Sequence, residues 1–416
     1  KPMNTISIKK RTIYSLLFVS LITPLFAQST DTWTNKLAPI SESDWDYAKA
    51  RHLIDRVGFG EKPKNIERFV RMGPRASVRE LVYFQSIPKH LDDFDHSGIF
   101  DPGIEPFPSS RPAATKLAKE TGEAIGVRVK PNGNRRLQPV VDRFFYWLRA
   151  SMLETRRVAY WWANRMLLSN RPLEEKMALF WHGHFATNEE KVRDYRKLLQ
   201  QNAVFREYGT GNFKELLTQV SQDPAMLDFL DAGVNIKGSP NENFAREIME
   251  LFTMGVGNYT EQDIREGARA FTGWNHRDLN FVLNADQHDS SQKTFLDKTG
   301  NWDGLDIIDM ILEKPVTAEY ISGKIYKFFV RENIDPALQE ELASFFYNSE
   351  YEITPLLEKI FLSQDFYSSA SMGTHIKSPT DLVVSTYKKL GLNVLPGVPD
   401  FHDTTQSLGQ TLLFPP

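Results

Sequence analysis

The chain has no cysteine in 416 residues. That absence excludes disulfides, thiolate metal ligands, iron–sulfur clusters and cysteine nucleophiles together. It also lacks an excess of either charge, with 50 Lys and Arg against 53 Asp and Glu and a formal net charge of −3. Such a balance gives no basic field for nucleic acid and no acidic tail. After the first 27 residues no apolar run approaches the roughly 20 residues a membrane helix needs without meeting a charge. His-Glu-x-x-His, Gly-x-Ser-x-Gly and the phosphate-binding Gly-x-x-x-x-Gly-Lys-Ser/Thr are all missing. What the chain does have is bulk: 28 Phe and 8 Trp can fill a core without cross-links.

Residues 1–27 read as a signal peptide: basic Lys9-Lys10-Arg11, an apolar run from Ile13 to Phe26, and small Ala27 before polar Gln28. Met3 reads as the start. An extracytoplasmic protein, periplasmic or secreted, is expected, with no integral membrane segment after signal removal; an uncleaved anchor is the alternative.

Helical periodicity dominates the rest. Residues 31–96 read as an N-terminal helical unit, with amphipathic stretches from Trp45, from Ile66 and from Val78. Residues 97–139, broken by Pro102, Pro106, Pro108, Pro112, Pro131 and Pro139, read as a long loop or insertion. The main helical domain is expected over 140–416. In it, Arg143 to Leu153 and Arg157 to Leu168 form aromatic-rich helices, and another starts at Leu173 with Glu174 and Glu175 in its first turn. Thr260 to Asp263 resembles a capping box before Ile264 to Phe271, and only Phe281 to Phe295 suggests short strands. The predicted fold is mainly α, a multi-helix globular array with a short β-hairpin-like insertion.

Two segments place histidines and carboxylates among large apolar side chains: Ala178 to Thr187, with His182-Gly183-His184, and Asn241 to Gly255, with Glu247. Polar groups in such company need partners, because burial without one costs roughly 2–7 kcal/mol. Side chains two apart diverge by about 200° on an α-helix, so His182 and His184 pair only if Gly183 ends the helix. A histidine in a last helical turn can instead bond free carbonyls. On the second segment Asn243, Glu247 and Glu250 form one polar stripe beside Phe244, Ile248 and Leu251. Asp286-Gln-His288-Asp289 with Lys293 is a third polar group, and His276 a further candidate. These are the ligand types of a Zn, Mn or Fe centre, although no spacing rule unites them. Thr299 to Gly304 echoes a calcium loop but lacks its first and last acidic ligands, and so reads as a turn capping the next helix. The aromatic clusters Phe144 to Trp147 and Tyr160 to Trp162 read as core packing.

Several of these stretches occur together and in order: Ala50 to Gly60, Arg171 to Thr187, Asn243 to Gly255, Ala268 to Trp274, and Gln287 to Asp289 through Lys293-Thr-Phe. In them the chain resembles the bacterial family called "domain of unknown function 1800", from Trp45 to its end. The resemblance implies a large, mainly helical, commonly exported protein. It also implies an exported partner of the "domain of unknown function 1501" family, whose members look like sulfatases and phosphatases. Where the family usually has Trp-His-Asn-His this chain has Trp-His-Gly-His, and the family continues past the present Leu408 to Pro416, so the C-terminus reads as truncated.

Two functional readings follow. One is an exported metal-dependent enzyme with metal ligands His182, His184, Glu247 and His288 and catalytic groups Glu247, Asp289 and Lys293. The alternative is a non-catalytic binding or assembly protein acting with the exported partner, in which the same residues form a buried network that fixes helix packing.

Overall fold

Proline and short polar residues punctuate the chain into helices. Pro63, Pro74, Pro172, Pro224, Pro315, Pro336 and Pro379 each open one, at the position where a missing N–H costs nothing. Asp46, Asp223, Thr260, Asp303, Asp335 and Ser378 cap helix starts by accepting backbone N–H groups. The capping box at Thr260 and Asp263 is present, and the Asp303 turn does cap the following helix.

A computed structural model describes residues 32–101 and 138–415, with isolated positions between 116 and 126 and with side chains of the long helix from 145 onward. The signal-peptide segment and most of 97–139 lie outside the described residues. The helices are α1 Tyr47–Val57, α2 Pro63–Met72, α3 Pro74–Val82, α4 Gln138–Leu168, α5 Pro172–His184, α6 Glu189–Val192, α7 Tyr195–Tyr208, α8 Phe213–Ser221 and α9 Pro224–Phe229. They continue as α10 Asn243–Glu250, α11 Glu261–Ala270, α12 Gly304–Leu312, α13 Pro315–Phe329, α14 Pro336–Asn348, α15 Ile353–Leu362, α16 Pro379–Leu390 and α17 Asp400–Ser407. One continuous core runs through them, from Leu37 and Ile40 to Leu412 and Leu413.

The fold is mainly α, as expected, and two local expectations are corrected. Helix α4 is a single helix of 31 residues, without a break between Leu153 and Arg157. The polar residues there, Glu154 and Thr155, are buried within it, and Glu154 is held by Arg157 at 2.9 Å. The strand-like stretch belongs to two antiparallel hairpins: β1 Trp274–Arg277 with β2 Asn280–Leu283, and β3 Lys293–Phe295 with β4 Lys298–Gly300. The second turns on Leu296 and Asp297, both at positive φ, which matches the twist of a tight hairpin.

Helix α5 lies at the centre. Every residue from Leu173 to His182 is buried, as is His184, so its polar side chains must find partners on other elements. Glu175 accepts from Arg165 Nε at 2.9 Å and from Trp162 Nε1 at 3.0 Å, both on α4. Lys176 donates to Asp381 of α16 at 2.9 Å, and Trp181 donates to the Gly209 carbonyl at 2.8 Å. Glu174 takes Arg171 at 3.2 Å, and Arg171 also donates to the Ile87 carbonyl at 2.7 Å. Glu174 and Glu175 are thus interior ion-pair partners, beyond the helix-dipole role expected of them.

Removing one partner of such a pair leaves an uncompensated interior charge. Glu175→Ala is therefore expected to lower the unfolding free energy by about 3–5 kcal/mol in urea titrations. Gly183 is exposed within α5, and a Cβ there would meet no atom within 4 Å. Gly183→Ala should accordingly raise stability by about 0.5–1 kcal/mol in the same assay.

Candidate functional site

Helix α5 continues through His184, with Phe185 as its cap, so Gly183 does not end it and the two histidines point to different places. His182 Nε2 accepts the Leu413 backbone N–H at 3.0 Å, and its ring stands edge-on to Trp162 at 5.2 Å. His184 Nε2 donates to the Phe252 carbonyl at 3.1 Å, while its Nδ1 faces the Lys324 ammonium at 3.4 Å. Phe180, Trp181, Phe185 and Phe252 surround it. Burial pushes His182 down to about 4, and burial together with Lys324 pushes His184 down to about 3. Each ring is a neutral cross-link between α5 and a distant segment.

Glu247 is half-buried on α10; burial and then neighbouring Glu250 raise its carboxyl above the usual range. His288 Nδ1 donates to the Thr272 carbonyl at 2.9 Å. Asp289 receives Arg269 Nε at 2.8 Å and the Ser291 N–H at 3.0 Å. Burial works against its charge, but these hydrogen bonds prevail and hold it well below the carboxylate range. Lys293 is 1% exposed and donates to the Asp289 and Ser291 carbonyls, so burial lowers it only against the pull of Asp289. Arg269, Asp289, Ser291 and Lys293 thereby fasten the second hairpin to α11. His276 of β1 presents both ring nitrogens to acceptors, Asp228 Oδ1 at 2.8 Å and the Asp278 carbonyl at 3.0 Å.

The expectation of a metal centre is therefore corrected. Among the described residues no group of three or more His, Asp or Glu is placed to hold a metal ion. His182, His184 and His288 use ring nitrogens on backbone groups, and each belongs to a different packing contact. The Zn, Mn or Fe cofactor falls with that finding, and so does the metal-dependent enzyme built on it. Asp289 and Lys293 do meet, as a clamp on the hairpin.

Two features escape local sequence reasoning. The first is a groove of about 940 Å³ along α4, lined by Phe94, Leu153, Tyr160, Trp161, Val398 and Pro399, with Glu154, Arg156 and Arg157 at its edge. Tyr160 and Trp161 were expected to serve the core, and here they line the groove as well, each only partly buried. The second is a pair of ion pairs that tie α16 to its neighbours, Lys176 with Asp381 at 2.9 Å and Lys389 with Asp55 at 2.8 Å. Lysine in the apolar run of Lys176 to Trp181 was the available signal, since a buried ammonium demands company.

Residues 52–416 match the family described as "Protein of unknown function (DUF1800)". No curated protein and no solved structure matches the chain.

The depressed histidines give the stability a direction with pH. The folded chain keeps both rings neutral while the unfolded chain takes up protons below about pH 6.5, so this stability is complete above that value and is lost as pH falls. The loss continues towards the folded values, about 4 for His182 and about 3 for His184. Each ring should contribute a slope of about 1.4 kcal/mol per pH unit over that window. Urea titrations from pH 7 downward should show the slope reduced by about one proton in His184→Gln. An unchanged slope would contradict the neutral buried ring.

Proposed function

The chain belongs to the family described as protein of unknown function DUF1800, and from that premise we propose that it is an exported, non-catalytic binding and assembly protein. The observation that carries this reading is the apolar surface around the α4 groove. Leu153 and Ile99, which line it, are exposed, and so is Tyr146, whose hydroxyl donates to the Ile99 carbonyl at 3.0 Å. Contiguous apolar surface of this kind, with arginines at its margin, is the composition of a protein-binding patch. Arg156 supplies the margin, beside the Arg157–Glu154 pair, and favours a partner whose apolar docking segment carries acidic flanks.

The partner we propose is an exported protein of the "domain of unknown function 1501" family, which the family resemblance implies. His182, His184, His288, Asp289 and Lys293, which looked like site residues, instead bond to neighbouring segments as packing contacts.

Co-expression followed by affinity capture tests it. Wild-type chain should carry the partner through purification. Leu153→Glu places a carboxylate on the groove wall and should weaken capture by about 2 kcal/mol or more, with its melting temperature unchanged. Failure of the wild type to capture the partner, or undiminished capture by Leu153→Glu, would refute the proposal.

A further inference from the structure

A second cavity, apart from the α4 groove, opens where α1, α2 and α3 meet the start of α5 and the end of α16, and holds about 400 Å³. That volume suits a small molecule. Ile54 of α1, Phe69 of α2, Leu81 of α3, Phe84 and Pro172 give it apolar walls. Gly58 also lines it, and a Cβ there would lie 2.8 Å from Pro172 Cβ. Only glycine lets the end of α1 close against the start of α5 so tightly.

Four charged side chains line the pocket, and they are not equivalent. Arg68 is committed to Glu80 by two bonds, Nη1 to Oε2 at 2.8 Å and Nη2 to Oε1 at 2.6 Å. Glu61 accepts from Asn65 Nδ2 at 2.7 Å and from the Lys62 N–H at 3.2 Å, both on Oε2. Its other oxygen, Oε1, faces Lys388 Nζ at 3.5 Å. That pair is loose. The adjacent Lys389 stands 2.8 Å from Asp55 with its side chain 37% exposed, whereas the Lys388 side chain is only 9% exposed. Burial outweighs the pull of Glu61 and lowers Lys388 from the ordinary lysine range.

A desolvated lysine releases its proton readily and becomes a nucleophile, and a carboxylate beside it can carry that proton. The two cations and two carboxylates of the pocket cancel, so a charged ligand would have to break an ion pair to enter. An uncharged one meets apolar walls and a single reactive amine.

We propose that this pocket captures a small, uncharged aldehyde or ketone with an apolar body, and holds it as an imine on Lys388 with Glu61 as the proton carrier. Glu61 takes a proton from the Lys388 ammonium, and the free amine adds to the carbonyl carbon. The new C–N bond forms as the carbonyl oxygen gains a proton from the same nitrogen, giving a carbinolamine. Glu61 then returns its proton to the departing hydroxyl, the C–O bond breaks, and water leaves. A protonated imine stands beside an ionised Glu61 at the end, so atoms and charge balance and nothing is oxidised or reduced. The carbonyl compound stays attached, so the step serves capture rather than turnover.

Incubation of the folded chain with hexanal and cyanoborohydride at neutral pH, followed by peptide mass mapping, tests the pocket, because the reductant fixes each imine as a stable secondary amine. Lys388 should be alkylated about ten-fold faster than the more exposed Lys389, and its rate should saturate with hexanal while that of Lys389 rises in proportion. Asn170 is an exposed lining residue that donates to the Pro88 carbonyl at 3.1 Å and takes no part in the Lys388–Glu61 pair. Asn170→Trp should fill the pocket, removing both the saturation and the preference and leaving Lys389 unaltered. Labelling of Lys388 no faster than Lys389, or a preference that Asn170→Trp retains in full, overturns the proposal and makes Lys388 a packing residue with Glu61 as its counter-ion.

Discussion

A helix buried on all sides must satisfy each of its polar side chains with a group from some other element, and α5 is such a helix. Its polar residues point in every direction. Glu175 reaches α4, Lys176 reaches α16, His182 reaches the segment at Leu413, and His184 reaches the turn at Phe252. Each contact is specific in geometry, so together they fix how the surrounding helices are arranged, while the aromatic side chains supply the apolar burial. The long α4 helix and α16 both take their positions from this centre.

That constraint accounts for the dispersal of the residues that resemble a metal-ligand set. Histidine, aspartate and glutamate are the natural cross-linkers of a cysteine-free interior, because an imidazole both accepts and donates and a carboxylate accepts from several donors at once. His288 and the Asp289–Arg269 pair do for the hairpins what His182 and His184 do for α5. Chemistry-bearing residue types in apolar surroundings thus have a structural explanation here, and functional weight moves to surfaces where polar groups or apolar faces are left unmatched. The α4 groove is one such place.

Local signals in the sequence were readable where the physics is local. The capping box at Thr260 and the Asp303 turn act through neighbouring backbone groups, and they stand where expected. The divergence of His182 and His184 also followed from helical geometry, and only the assumption that Gly183 ends the helix led toward a paired site. Leu296-Asp297 hid a hairpin turn because neither residue advertises positive φ as Asn-Gly would. Glu154 and Thr155 fell between the two helices expected there, since nothing nearby announces that Ser97 and Arg157 donate to Glu154. The Lys176–Asp381 pair was the least legible feature: the two residues are far apart in the chain, and no spacing connects them before the fold does.

The central claim is that the histidines of α5 are neutral cross-links. Imidazole nitrogen NMR of ¹⁵N-labelled protein, with and without added zinc, tests it most directly. The account predicts a proton on Nδ1 of His182 and on Nε2 of His184, no protonation of either ring at about pH 6, and no response to the metal. An imidazolium signal from either residue at that pH, or a metal-induced shift of both, would contradict it.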